Sequence, residues 1–114
     1  MELKNIKANF LGDSITEGCG TSSPDKVFHA LIKEKYGLKE ARNYGLGGTR
    51  IARQSEIKDP DNPRDKDFIL RAESMDKDAD LIVVFGGTND YGNGQAPLGE
   101  ITDSTMFTFY GALR

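Results

Sequence analysis

Ser14 stands where a nucleophile would be useful. An apolar run from Ile6 to Leu11 leads into Gly12-Asp13-Ser14, and Thr16, Glu17, Gly18 and Gly20 follow. A serine placed directly after a buried strand and ahead of a glycine-relieved loop suits covalent catalysis, although serine also caps turns. Two later stretches could serve such a serine: Gly45-Leu46-Gly47-Gly48-Thr49 and Gly86-Gly87-Thr88-Asn89-Asp90. Acyl transfer from an ester needs a nucleophile, a base to activate it and donors for the oxyanion that forms. Ser14 offers the hydroxyl. Its own backbone N–H, the backbone N–H of Gly48 and the side-chain amide of Asn89 are three candidate oxyanion donors. Glycine at position 48 lets the backbone approach a substrate closely. A neutral amide at Asn89 donates without a proton balance. Taken singly, Gly47-Gly48 reads as a tight turn and Asn89-Asp90 as a turn cap. Their joint occurrence after successive strands favours a site. Asp13 reads as a supporting residue whose carboxylate accepts backbone N–H groups and shapes the turn.

These residues need elements to position them. Ile6, Ala8 and Phe10 alternate with Asn5, Lys7 and Asn9, which predicts a strand with one well-buried face ending near Leu11. The segment Gly12 to Ser22 reads as a loop. Ser23-Pro24-Asp25 marks a helix start, and Val27, Phe28, Leu31, Ile32 and Tyr36 form its apolar stripe before Gly37. Ala41 to Tyr44 predicts a second strand. Arg53 to Asp67, with Pro60 and Pro63, reads as a surface loop. Phe68, Ile69, Ala72 and Met75 share one face of a second helix. Leu81 to Phe85 predicts a strand that is apolar on both faces and covered by helices. A glycine-rich, weakly structured stretch runs to Glu100. Asp103 is placed to cap a last helix carrying Met106, Phe109, Tyr110 and Leu113.

Alternating strands and helices predict an α/β fold with a parallel sheet. Right-handed crossovers put helices on both faces only in the order 2-1-3, with a switch point between strands one and three. Ser14, Gly48 and Asn89 each fall shortly after the carboxyl end of a strand, where open α/β sheets bind ligands.

The chain has 114 residues and a net charge of −3, which suits a single domain spanning 1–114 and leaves no basic footprint for nucleic acid. No apolar run is long enough to span a bilayer, and the N-terminus lacks a secretory h-region, which points to the cytoplasm. Cys19 is the one cysteine, so no intramolecular disulfide can form; it reads as a small loop residue. One cysteine and one histidine are too few soft ligands for zinc. No metal and no cofactor are expected.

Gly12-Asp13-Ser14 with Ile15-Thr16-Glu17-Gly18 resembles the first block of the SGNH, or GDSL-like, hydrolases. Asn43 to Thr49 resembles their second block, with Gly48 as the oxyanion glycine, and Gly87-Thr88-Asn89-Asp90 resembles their third. The resemblance implies a flavodoxin-like three-layer α/β/α fold. It also implies a serine ester hydrolase, an acyl or acetyl esterase or a lipase, acting on a small acyl-ester substrate without a metal. The family's fourth block, Asp-x-x-His, is missing from these residues. The one histidine, His29, follows Asp25 by four positions on the first helix, where the periodicity turns it outward as a solvated side chain. No general base is therefore expected in the chain. Residual catalysis from an oxyanion site without its triad falls about three orders or more below an intact one.

The expectation is that this chain is the N-terminal part of a longer hydrolase, incomplete at the C-terminus. Its third strand would then leave an open sheet edge, suited to self-association or to a C-terminal fragment. A competing reading is a catalytically inactive binding or assembly module that retains the acyl pocket. A phosphate or nucleotide binder using Gly86-Gly87-Thr88 ranks last, because neither a dinucleotide fingerprint nor a P-loop is present.

Overall fold

The structure is a computed structural model that describes residues 2–54, 56–92 and 96–114. Residues 93–95 of the glycine-rich stretch lie outside the described residues. The chain divides into two compact units, one formed by Met1–Gly47 with Met75–Phe85, the other by Gly48–Ser74 with Gly86–Arg114.

The first unit is built on a parallel sheet of three strands, β1 (Lys7–Gly12), β2 (Glu40–Gly45) and β3 (Leu81–Phe85), in the order β2-β1-β3. The expected order is therefore observed. Ala8 lies level with Ala41 and Leu81, and Gly12 with Gly45 and Phe85. The carboxyl ends of all three strands thus share one edge of the sheet.

Sequence and structure differ on which strand is sheltered. β1 was expected to bury one face, yet Asn9 on its polar side is fully buried alongside Ala8 and Phe10. Burial is possible because the Asn9 amide is satisfied. Its Nδ2 donates to the Asp76 carbonyl at 2.9 Å, and its Oδ1 accepts from Arg42 Nη1 at 3.2 Å. β3 keeps its predicted bounds but not its predicted cover: Ile82, Val84 and Phe85 are about half exposed. The core of this unit gathers Ala8, Phe10 and Leu38, with Phe28, Ile32, Ala41, Leu81 and Val83 packed against them. The Phe10 and Phe28 rings meet edge to face at 5.7 Å, a favoured aromatic geometry. Around the strands, Lys7 pairs with Asp78 at 2.7 Å, and Arg42 with Asp78 and Glu40 at 2.8 Å each. The Lys7 hydrogen bond holds the Asp78 carboxyl below its usual value, but exposed pairs of this kind add little stability.

The first long helix starts later than Ser23-Pro24-Asp25 suggests. Those residues open a 3-10 turn over Pro24–Lys26. Val27 is extended, and the helix proper, α2, spans Phe28–Tyr36 and ends at Gly37 in the left-handed conformation. Ser23 Oγ bonds the Asp25 carboxylate instead of capping the backbone. Val27 is buried, while Leu31 and Tyr36 of the predicted stripe are about half exposed. A shorter helix, α1 (Ser14–Glu17), lies where a loop was expected.

The second unit holds α3 (Phe68–Ala72), α4 (Thr88–Tyr91) and α5 (Phe109–Leu113). Its apolar centre is Ile51, Ala52 and Phe68, all nearly inaccessible. Carboxylates bind its loops. Asp67 is fully buried, caps α3 by accepting from Leu70 N at 3.0 Å, and accepts from Gln54 N at 2.9 Å. α3 stops at Ala72, so Met75 lies beyond the helix predicted to carry it. α5 also begins later than predicted. Thr108 supplies its cap to Gly111 N, while Asp103 accepts from Glu100 N and Thr108 Oγ1 and so folds the turn before the helix.

Candidate active site

Ser14 is the first residue of α1, directly after β1 and Asp13. The Asp13 side chain caps this helix by accepting from Ile15 N at 3.0 Å, and Asp13 is itself buried. A buried cap fixes the entry into the helix and with it the position of the serine. Thr16 is fully buried beneath the turn, and Ser14 remains partly accessible.

The exit of β2 is fastened to this same turn. Leu46 N donates to the Gly12 carbonyl at 3.0 Å, and Gly47 N donates to Glu17 Oε2 at 2.6 Å. Gly45 permits the approach: a Cβ there would lie 2.2 Å from Glu17 N, far inside contact distance.

Gly48 and Asn89 belong to the second unit, which ties them together. Asn89 sits in α4, almost fully buried, and its Nδ2 donates to the Thr49 carbonyl at 2.8 Å. A side-chain amide carries two hydrogens, so one of them holds the residue next to Gly48. Asp90, also buried, accepts from Ile51 N and Ala52 N, each at 2.9 Å. Arg71 adds a bond from Nη2 to Thr49 Oγ1 at 2.7 Å and lies over the Phe68 ring. Gly48 itself has φ +81°, a conformation that glycine adopts readily, and its Cβ position faces open space. Among the described residues the Gly48 N–H has no hydrogen-bond partner.

Beside α4 a cavity of about 490 Å³ opens, lined by Gly87, Asp90, Tyr91, Ala96, Leu98 and Phe109. Most of these side chains are apolar. A second cavity, of about 400 Å³ in the first unit, is more polar, with Glu17, Thr21, Ser22, Ser23, His29 and Asn43 on its wall.

His29 departs from its expected setting. Instead of being solvated it is half-buried, its ring 5.9 Å from that of Phe10 and 6.5 Å from that of Phe28. Nδ1 is buried with no hydrogen-bond partner among the described residues, and burial pushes the imidazole pKa down. Among the described residues no carboxylate is bonded to it to stabilise an imidazolium, as a triad requires.

Sequence reasoning passed over Glu17 and Asp90. Both are acceptors for backbone N–H groups far along the chain. The one available signal was an acidic residue beside a glycine turn or directly after the candidate asparagine. Among the described residues no cluster of His, Cys, Asp and Glu could hold a metal ion, and no helix is long and apolar enough to cross a membrane.

A parallel sheet ordered β2-β1-β3, with Gly-Asp-Ser after the central strand, defines an α/β protein of the SGNH hydrolase class. The GDSL-like lipase/acylhydrolase family profile matches residues 10–108, and the chain belongs to that family. One crystal structure is 30% identical with a TM-score of 0.80, covering 99% of this chain and 49% of its own. A Lactobacillus plantarum protein is 33% identical with a TM-score of 0.73, covering 96% of this chain and 47% of its own. A Bacteroides uniformis protein, named as a GDSL-like lipase candidate, shares the fold at 23% identity and a TM-score of 0.72, covering 95% of this chain and 61% of its own. The chain thus spans about half the length of the first two solved relatives. A comparison with curated proteins gave no match.

Proposed function

We propose that this chain carries the nucleophile and oxyanion donors of a serine ester hydrolase. In this reading Ser14 Oγ attacks the ester carbonyl. The Ser14 N–H, the Gly48 N–H and the second N–H of Asn89 Nδ2 donate to the oxyanion. The observation that carries the reading is the Gly48 amide, which has no partner among the described residues although the amides of Gly45, Leu46 and Gly47 before it and of Ile51 and Ala52 after it are bonded. Preorganised donors of this kind stabilise charge as it develops in the transition state. The mostly apolar cavity beside α4 suits the acyl group of a small ester, acetyl or longer. Family membership supports ester chemistry in general. In this reading the base that takes the Ser14 proton lies outside these residues: His29, the one histidine, packs against the Phe10 and Phe28 rings, and its Nδ1 has no hydrogen-bond partner among the described residues to orient it toward Ser14.

A second reading is a binding or assembly module that keeps the acyl pocket without turnover; it is favoured by the unpartnered Nδ1 of His29, the one histidine of these residues. Hydrolysis of p-nitrophenyl acetate separates the two. Turnover that disappears in Ser14→Ala supports the hydrolase. Equal rates in both proteins exclude Ser14-dependent hydrolysis and favour the binding module.

A further inference from the structure

We propose that Glu17 is a positioning residue for the Gly48 amide. The inference rests on reading Gly48 as an oxyanion donor. It starts from the hydrogen bonds of the segment 45–52. Gly45 N donates to Asn43 Oδ1 at 2.8 Å, Leu46 N to the Gly12 carbonyl at 3.0 Å, and Gly47 N to Glu17 Oε2 at 2.6 Å. Beyond Gly48, the Thr49 carbonyl accepts from Asn89, and Ile51 N and Ala52 N donate to Asp90. Gly48 is flanked on both sides by bonded backbone and has no partner of its own among the described residues.

The Glu17 contact is the last fixed point before Gly48. A bond of 2.6 Å from an amide to a carboxylate oxygen is short and charge-assisted, the strong class of hydrogen bond. It pins the peptide plane that ends at Gly47 N. Only φ and ψ of Gly47 then remain to orient the Gly48 N–H. Glu17 also shares α1 with Ser14. One four-residue helix therefore carries the nucleophile and holds the strand exit that leads to a donor. Gly45 contributes by its missing side chain, since a Cβ would strike Glu17 N and drive the strand exit from the helix. The reach of the side chain matters more than its charge. Aspartate is shorter by one methylene and falls short of Gly47 N, whereas glutamine presents a neutral oxygen at the same distance.

The test uses Glu17→Ala, Glu17→Asp and Glu17→Gln in the whole protein, with two readouts. Amide hydrogen exchange at Gly47, followed by NMR, reports the latch directly. It should accelerate by about tenfold to a hundredfold in Glu17→Ala and Glu17→Asp and change little in Glu17→Gln. Turnover of p-nitrophenyl acetate reports the donor. kcat should fall by about tenfold to a hundredfold in the first two variants with KM within about twofold, and Glu17→Gln should restore most of it. If Glu17→Ala fails to fold, Glu17→Asp carries the same test. Unchanged Gly47 exchange in Glu17→Asp overturns the positioning role whatever the turnover. So does wild-type kcat in Glu17→Asp when turnover depends on Ser14. Failure of the hydrolase reading shows separately, as wild-type turnover in Ser14→Ala.

Discussion

Asp90→Ala should cost the second unit much of its stability. Both Asp90 carboxylate oxygens are used, one by Ile51 N and one by Ala52 N, each at 2.9 Å. Ile51 is 4% exposed and Ala52 is 0% exposed, so neither N–H reaches water once the carboxylate is gone. A buried donor left without its partner costs about 1–3 kcal/mol. Two such donors, discounted because they share one site, give a loss of about 3–5 kcal/mol. That is a large fraction of the roughly 5–15 kcal/mol that holds a typical domain together. Asp90→Asn keeps one acceptor but turns an NH₂ group toward the other N–H, so about half the loss should return. Urea unfolding at equilibrium measures both. An Asp90→Ala midpoint corresponding to less than about 1 kcal/mol of destabilisation would refute the reasoning, because the two amides would then have found water or each other's neighbours.

Other outcomes follow from single contacts. Gly45→Ala puts a Cβ 2.2 Å from Glu17 N and should destabilise by about 2 kcal/mol or more, read as a shifted urea midpoint. Thr16 is fully buried and its Oγ1 has no hydrogen-bond partner among the described residues, so Thr16→Val should stabilise by about 1 kcal/mol in the same assay. Burial lowers the His29 pKa below its ordinary 6.5, so the unfolded chain takes up that proton first as the pH falls. Stability contributed by the neutral ring is present above about pH 6.5 and declines below it. The decline in urea midpoint from about pH 7 to about pH 5 should therefore be smaller in His29→Gln than in the wild type.

The strands were legible because apolar content and period survive in short windows. Leu81–Phe85 keeps its predicted bounds since no polar residue interrupts it. β2 is marked in the sequence mainly by the glycine turn after it, because Glu40, Arg42 and Asn43 carry no apolar period. The strand order followed from handedness alone. What the sequence hid was tertiary satisfaction of polar groups. Asn9 looked like an exposed position, yet it is buried because Asp76 and Arg42 meet it from distant parts of the chain. Ser14 looked like a loop residue, yet the Asp13 cap and the burial of Thr16 wind it into a helix too short to show a period. The last helix was misplaced by five residues because Asp103 and Thr108 are both good caps, and the choice between them is settled by their bond to each other. Of the candidate site, Ser14, Gly48 and Asn89 are nominated by motif order. The carboxylates that hold the glycine segment are not, since Glu17 acts 30 residues away and Asp90 acts 38 and 39 residues away.

The proposed role of Ser14 as the nucleophile of an ester hydrolase is tested most directly by acylation. The protein is exposed to an activated acetyl ester, and the intact mass and peptide map are recorded by mass spectrometry. The reading predicts one acetyl group on Ser14, lost in Ser14→Ala and formed about a hundredfold to a thousandfold more slowly in Asn89→Ala. Acetylation confined to surface lysines, or at equal rate in Ser14→Ala and wild type, would contradict it.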